Sequence, residues 1–186
     1  MFLITDLDRG GSPLLLAALA PGLLEHGFEV EVVSIAPEGE VAALLRERGV
    51  PVFSMRAEGA GDFSVVPRFA NHVRHRRPDV VASVLIHANL LAVLAKPFVQ
   101  SGITWVQSIH TLQERPRWHW YLQGLLSGFA DSFVAPSRAV IQKLQGFGPV
   151  PRPVVIPNGI DVQRFRHAQP VPEGERPWPR DAFVVG

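Results

Sequence analysis

Phe2-Leu3-Ile4-Thr5-Asp6-Leu7-Asp8-Arg9-Gly10-Gly11-Ser12-Pro13 opens the chain with an apolar run, an acidic and glycine-bearing turn, and the start of a second apolar segment that reaches residue 26. Strand, glycine turn, helix is the first half of a βαβ unit. The same pattern recurs along the chain. Strands are predicted at 2–7, 29–35, 51–55, 79–84, 103–109, 132–135 and 153–156, and helices at 12–26, 38–48, 66–76, 88–100, 117–129 and 137–144. Several strand runs are continuously apolar, as strands buried on both faces are. Strict alternation with right-handed crossovers implies an α/β fold, a mainly parallel sheet of about seven strands with helices on both faces.

Capping residues punctuate this reading. Ser12 can cap the first helix with Pro13 in its first turn, and Gly27 can close it in the left-handed conformation. Ser137 can cap the sixth helix in the same way, and Gly49 and Gly102 stand where the second and fourth should end. Thr111 and Glu114 have capping-box spacing for the fifth helix, but Pro116 delays its start toward Arg117. Pro157-Asn158-Gly159-Ile160-Asp161, followed by Phe165, sits directly after the last apolar run and reads as a domain boundary. The expected organisation is a domain at 1–166, a linker at 167–181 marked by prolines 170, 172, 177 and 179, and the first strand of a second, missing domain at 182–186.

With 186 residues, 47% hydrophobic and 19% charged, the chain can bury one core but not two full domains. The net charge of +1, from 18 basic and 17 acidic residues, supplies no chain-wide field for nucleic acid or an anionic membrane, and no nucleic-acid partner is expected. There is no cysteine, which excludes disulfides, thiol nucleophiles and cysteine-based metal sites and is compatible with a reducing cytosol. The apolar segment 13–24 contains Ala18-Leu19-Ala20, as a leader would, yet Asp6 and Asp8 precede it with Arg9 as the one basic residue. A mature strand and helix fit better. The uncharged run 80–95 includes His87 and Asn89 and falls short of the roughly twenty apolar residues of a spanning helix.

Ligands of an open parallel sheet gather at the carboxyl ends of its strands. There the sequence places Asp8, Arg9, Gly10, Gly11 and Ser12 after the first strand, His87 and Asn89 after the fourth, and His110 and Thr111 after the fifth. Ser137 follows the sixth, and Asn158, Gly159 and Asp161 the seventh. Gly10-Gly11 before a helix is either an anion cradle or a tight turn with no ligand. It is neither a Walker loop nor a dinucleotide fingerprint, which disfavours ATP and NAD. His110 ends an apolar strand, where an imidazole can bond a sugar hydroxyl or move a proton; its position favours function over a bond to a neighbouring carbonyl. His87 is balanced between the same role and a helix cap. The other histidines, 26, 72, 75, 119 and 167, fall on helices or the linker; His72 and His75 have no carboxylate in their spacing, and no metal site is expected. Arg68, Arg74, Arg76 and Arg77 read as a solvated helix end. The stretch 115–121, with Trp118, His119 and Trp120, suits lipid headgroups, a stacked sugar or core packing equally. No serine sits on a nucleophile elbow.

Five stretches in order carry a resemblance. They are Ile4-Thr5-Asp6-Leu7-Asp8-Arg9-Gly10-Gly11, His87-Ala88-Asn89-Leu90-Leu91, Gln107-Ser108-Ile109-His110-Thr111, Ala130-Asp131 into Val134-Ala135-Pro136-Ser137, and Pro157-Asn158-Gly159-Ile160-Asp161 with Phe165. The chain resembles the Rossmann-like N-terminal, acceptor-side half of family 4 glycosyltransferases, retaining enzymes of the two-domain GT-B fold. The resemblance implies a domain that holds a glycan, lipid-linked or other glycoconjugate acceptor and closes over a nucleotide sugar bound mainly by a C-terminal donor domain. It places Gly10 and Gly11 near the donor diphosphate, His110 in the catalytic position beside the transferred sugar, and Asn158 by the interdomain crevice. The expected substrate-binding set is Gly10, Gly11, Ser12, His87, Asn89, Thr111, Ser137, Asn158 and Gly159. No metal or cofactor is implied, the nucleotide sugar being a substrate. A cytoplasmic enzyme of polysaccharide, lipopolysaccharide or related synthesis follows; peripheral contact at the inner membrane face through Trp118 and Trp120 is the lipid alternative read from the stretch 115–121. The family's paired donor-binding glutamates do not occur in the chain, so the chain by itself is expected to be inactive. A sugar-nucleotide epimerase half or a non-catalytic module partnering a separate donor domain would share the fold.

Overall fold

The computed structural model describes residues 1–59, 61–111 and 116–160 and the single positions 162, 166, 179 and 182. Seven strands and six α-helices alternate: β1 (Phe2–Ile4), α1 (Gly11–Glu25), β2 (Val32–Ser34), α2 (Glu40–Glu47), β3 (Val52–Ser54), α3 (Val65–Arg76), β4 (Val80–Val84), α4 (Ile86–Ala95), β5 (Thr104–Ser108), α5 (Trp118–Ser127), β6 (Ser132–Ala135), α6 (Arg138–Gln145) and β7 (Pro153–Val155). A short 3₁₀ turn, Lys96–Phe98, extends α4. The sheet is parallel throughout, in the order β3-β2-β1-β4-β5-β6-β7. The chain builds outward from β1 to β3, crosses back through α3, and builds the other way from β4. The order therefore reverses between β1 and β4, where a crevice opens.

Right-handed crossovers put α1 and α2 on one face and α3 to α6 on the other. Neighbouring residues of β1 divide accordingly. Ile4 packs with Leu16, Ala20, Val41 and Leu45 from α1 and α2, whereas Leu3 packs with Phe69, Val73, Leu91 and Trp105 under α3 and α4. Phe133 and Ala135 of β6 meet Val140, Ile141 and Leu144 of α6. Cover on the first face ends early. Val106 and Val134 are only half-buried there, and Val154 and Ile156 are exposed, with no helix over them among the described residues.

Most strands are shorter than predicted, whereas β6 has the predicted bounds; β1 ends at Ile4, before Thr5 and Asp6. α1 begins at Gly11 and is capped by extended Gly10 (φ −161°, ψ 171°), so Ser12 lies in its first turn and is not its cap. Pro21 inside α1 has no N–H for the Ala17 carbonyl; Arg48 supplies the missing donor through Nη1 at 3.0 Å. Gly27 (φ +84°) and Gly49 (φ +79°) end α1 and α2 in the left-handed region. Ser137 does stand at the cap of α6 with extended backbone, but its hydroxyl makes no capping bond. α5 starts at Trp118, clear of Pro116.

The helix end read as solvated is tied down. Arg76 Nη2 and His72 Nε2 both reach Glu31, at 2.8 and 3.1 Å. Burial alone would raise the Glu31 pKa, but the bonds from His72 and Arg76 outweigh it and hold the carboxyl at about 2. The Glu31 contact also corrects the expectation that His72 lacks a carboxylate neighbour. Glu114, Arg115, Asp161 and Phe165, and the predicted linker and final strand apart from positions 179 and 182, lie outside the described residues. Among the described residues no helix is long and apolar enough to cross a membrane.

Candidate functional site

The crevice at the strand-order reversal holds a cavity of about 270 Å³. Thr5 and Asp6 line it from the end of β1, Leu85, Ile86 and His87 from the β4–α4 junction, Ile109 and Thr111 from the end of β5, and His119 and Trp120 from α5. Among the described residues Thr5 Oγ1 is buried without a hydrogen-bond partner, an orphan hydroxyl that a ligand can satisfy. Asp6 Oδ1 accepts the Asp8 N–H at 3.3 Å. The His87 and His119 rings meet edge to face, centroids 6.4 Å apart. Leu85 has φ +75° and ψ 162°, a conformation that costs a non-glycine residue roughly 1–3 kcal/mol and persists only where its surroundings enforce it.

The enforcing contacts lie beneath the cavity. Leu85 N–H donates to the Ser108 carbonyl at 3.1 Å, and the Leu85 carbonyl accepts Asn89 N–H at 2.9 Å. Asn89 Nδ2 donates to the same Ser108 carbonyl at 3.1 Å and to Gln123 Oε1 at 2.8 Å, while its Oδ1 accepts Ser83 Oγ at 2.7 Å. Gln123 Nε2 continues to Gln107 Oε1 at 3.0 Å, and Gln107 Nε2 to the Leu126 carbonyl at 3.0 Å. The network ties β4, β5, α4 and α5 together in a dry interior where an unmade bond costs about 1–3 kcal/mol. Asn89 is fully buried and its amide is spent within the protein. That corrects its expected contact with substrate: it holds the cleft wall.

His110 follows β5, and its Nδ1–H donates to Asn158 Oδ1 at 3.3 Å across 48 residues of chain. Burial lowers the His110 pKa, opposed in part by the bond to Asn158. The imidazole is therefore neutral near pH 7, with Nδ1 protonated and Nε2 left as an acceptor. Of the other predicted residues, His87 and Thr111 line the cavity, Gly10 and Ser12 sit half-buried at the start of α1, Gly11 is exposed beside them, Ser137 is half-buried before α6, and Gly159 is exposed next to Asn158. All lie at the carboxyl edge of the sheet, in loops or, for Gly11, Ser12 and His87, in the first turn of α1 or α4. Thr5, Asp6 and Leu85 are cavity residues that the sequence did not assign, whereas His119 and Trp120 belong to the stretch 115–121 for which a stacked sugar was one of three readings. Thr5-Asp6 carried a signal, since two polar residues interrupt an apolar run where a short strand would end. Trp120 is buried against Phe147, ring centroids 6.1 Å apart, and so belongs to the core, whereas Trp118 is exposed. Among the described residues no group of three His, Cys, Asp or Glu side chains could hold a metal ion.

The model of Glycosyltransferase Family 4 matches residues 9–164. The chain belongs to glycosyltransferase family 4. No protein of curated function matches the sequence. Among solved structures, Anabaena HepE in complex with UDP superposes with TM-score 0.72 at 19% identity, over 88% of this chain and 45% of that one. HepE in complex with UDP-glucose gives 0.71 at 20% identity, over 87% and 44%. A glycosyltransferase from Rickettsia africae gives 0.70 at 17% identity, over 93% and 46%, and the lipopolysaccharide outer core galactosyltransferase WaaB gives 0.69 at 16% identity, over 87% and 46%. The family 4 chain thus spans about half the length of these structures and has the Rossmann-like fold of a GT-B N-terminal domain.

Proposed function

We propose that this family 4 domain is the acceptor side of a retaining nucleotide-sugar glycosyltransferase that moves a glycosyl group onto a hydroxyl of a glycan, lipid-linked or other glycoconjugate acceptor. The observation that carries the reading is the His110–Asn158 pair beside a cavity in the strand-order crevice. A neutral imidazole with Nε2 free accepts the hydrogen bond of a substrate hydroxyl and orients it. Thr5 Oγ1, Asp6, His87 and Thr111 offer polar partners for further hydroxyls, while Ile109 and Trp120 suit the C–H face of a sugar ring. Gly10 and the first turn of α1 present backbone N–H groups and the positive end of a helix dipole, which suits a diphosphate. In this reading those dipoles and basic side chains meet the leaving-group charge without a metal, and the nucleotide sugar enters as substrate with no further cofactor. HepE was solved with UDP and with UDP-glucose, which supports a nucleotide sugar as donor. The donor is held mainly by a C-terminal domain, so this domain alone does not turn over. The enzyme works in the cytoplasm.

The test is His110→Ala in a two-domain enzyme carrying this domain. Product formation should fall by about 10²–10⁴-fold with the fold intact; unchanged turnover removes His110 from the site. Calorimetry of the chain with UDP-glucose should show weak binding or none, and tight binding would move the donor site onto this half.

A further inference from the structure

The cavity at the strand-order reversal carries a one-sided set of charges. Among its described lining residues Asp6 has the one carboxylate, and none of them is a lysine or arginine. Asp6 stands on a fixed mount. The Thr5 carbonyl before it accepts Ala36 N–H and the Leu7 carbonyl after it accepts Val41 N–H, both at 2.9 Å. Gly39 closes on the same stretch, since a Cβ there would overlap the Leu7 carbonyl carbon and the Asp8 nitrogen. Asp6 Oδ1 accepts the Asp8 N–H, and among the described residues the carboxylate has no ion-pair partner.

The polar rings of the lining, His87 and His119, meet edge to face, and His119 is backed by the Trp118 indole with centroids 4.0 Å apart. They offer ring nitrogens for hydrogen bonds, not the guanidinium or ammonium that holds a carboxylate or phosphate. Leu85, Ile86, Ile109 and Trp120 give the cavity apolar walls, which strengthen any repulsion between like charges inside. At about 270 Å³ the cavity is smaller than the roughly 300–1,000 Å³ that encloses a drug-sized ligand, which suits a single sugar ring. We propose that Asp6 makes this cavity selective for charge: it takes a neutral or amine-bearing sugar ring and turns away one that carries a carboxylate, sulfate or phosphate. An ammonium on the ring pairs with Asp6, whereas an anion faces it with no cation to offset the repulsion. The charges of an anionic acceptor then lie beyond the ring that enters. The inference rests on the reading of this cavity as the acceptor site.

The test is titration of the full chain with methyl glycosides at neutral pH and low salt, followed by the NMR signals of the His87 and His119 rings. Methyl glucoside and methyl galactoside should shift those signals. The corresponding amino sugars should bind up to about fivefold tighter, and the uronides at least about tenfold weaker. Asp6→Asn, which keeps the oxygen that accepts Asp8 N–H, should bring uronides and neutral glycosides level. Asp8→Asn, at a carboxylate outside the lining, should leave the gap as it was. Uronides bound by the native chain as well as neutral glycosides, a gap that survives Asp6→Asn, or an equal change in Asp8→Asn would each overturn the role of Asp6 while leaving the acceptor reading in place. No shift with any glycoside would remove the acceptor reading, and this inference with it.

Discussion

The two wings of the sheet are built from similar sequence but sit in different surroundings. β2 is buried at every position between α1 and α2 on one face and α3 on the other. β7, also rich in valine, is exposed at every position, and the face it shares with Val106 and Val134 lacks helix cover among the described residues. An apolar run therefore marks a strand without saying how deeply it is buried. Burial follows from the direction in which the chain winds, because right-handed crossovers send four helices to one face and two to the other.

Truncation should separate the wings most sharply. Phe69→Ala, under the first wing and wholly buried, should cost about 3–5 kcal/mol in urea unfolding. Val154→Ser should cost less than ~0.5 kcal/mol, and a large loss there would mean that the second wing is covered after all. Gly124→Ala tests whether the second wing is rigid where it is packed. An added Cβ would overlap the Phe147 carbonyl carbon and oxygen, so a destabilisation of about 1–3 kcal/mol is expected; neutrality would show that the α6 end yields. Glu31 gives the first wing a pH signature. Its folded pKa is depressed from 4.5 to about 2, so its contribution is present above about 4.5 and lost as pH falls toward 2. Glu31→Gln should remove that slope and lower stability at neutral pH by on the order of 1 kcal/mol, discounted because Arg76 is half in water. Arg48→Ala, which strips the Ala17 carbonyl beside Pro21 of its donor, should cost up to about 1 kcal/mol in the same unfolding assay.

Alternation and strand identity were readable from residues because they rest on local hydrophobic runs and glycine stops. Gly27 and Gly49 are examples, each at a positive φ where expected. The carboxyl edge was readable for the same reason, since parallel order alone places His87, His110 and Asn158 there. What escaped depends on contacts distant in sequence. Asn89 is polar and follows β4, but that its amide turns inward is decided by Gln123, 34 residues on. Trp118 and Trp120 are near neighbours of one type, and Trp120 is the buried one because it joins the cluster of Ile109, Phe133 and Val140 and stacks on Phe147. Ser12 is a good cap by identity, yet extended Gly10 takes the place and Pro13 falls within the first turn, where its missing N–H costs little.

The place of β1 at the point where the strand order reverses governs how the domain is made. It pairs with β2 about thirty residues on and with β4 about eighty residues on. Until β4 leaves the ribosome, the growing chain presents one unpaired edge of β1, the kind of surface on which nascent chains stick to one another. Closure waits for the long return through α3. Synthesis of this protein is therefore most exposed to aggregation before residue 84, and chaperone demand should peak there and fade as the second wing is added.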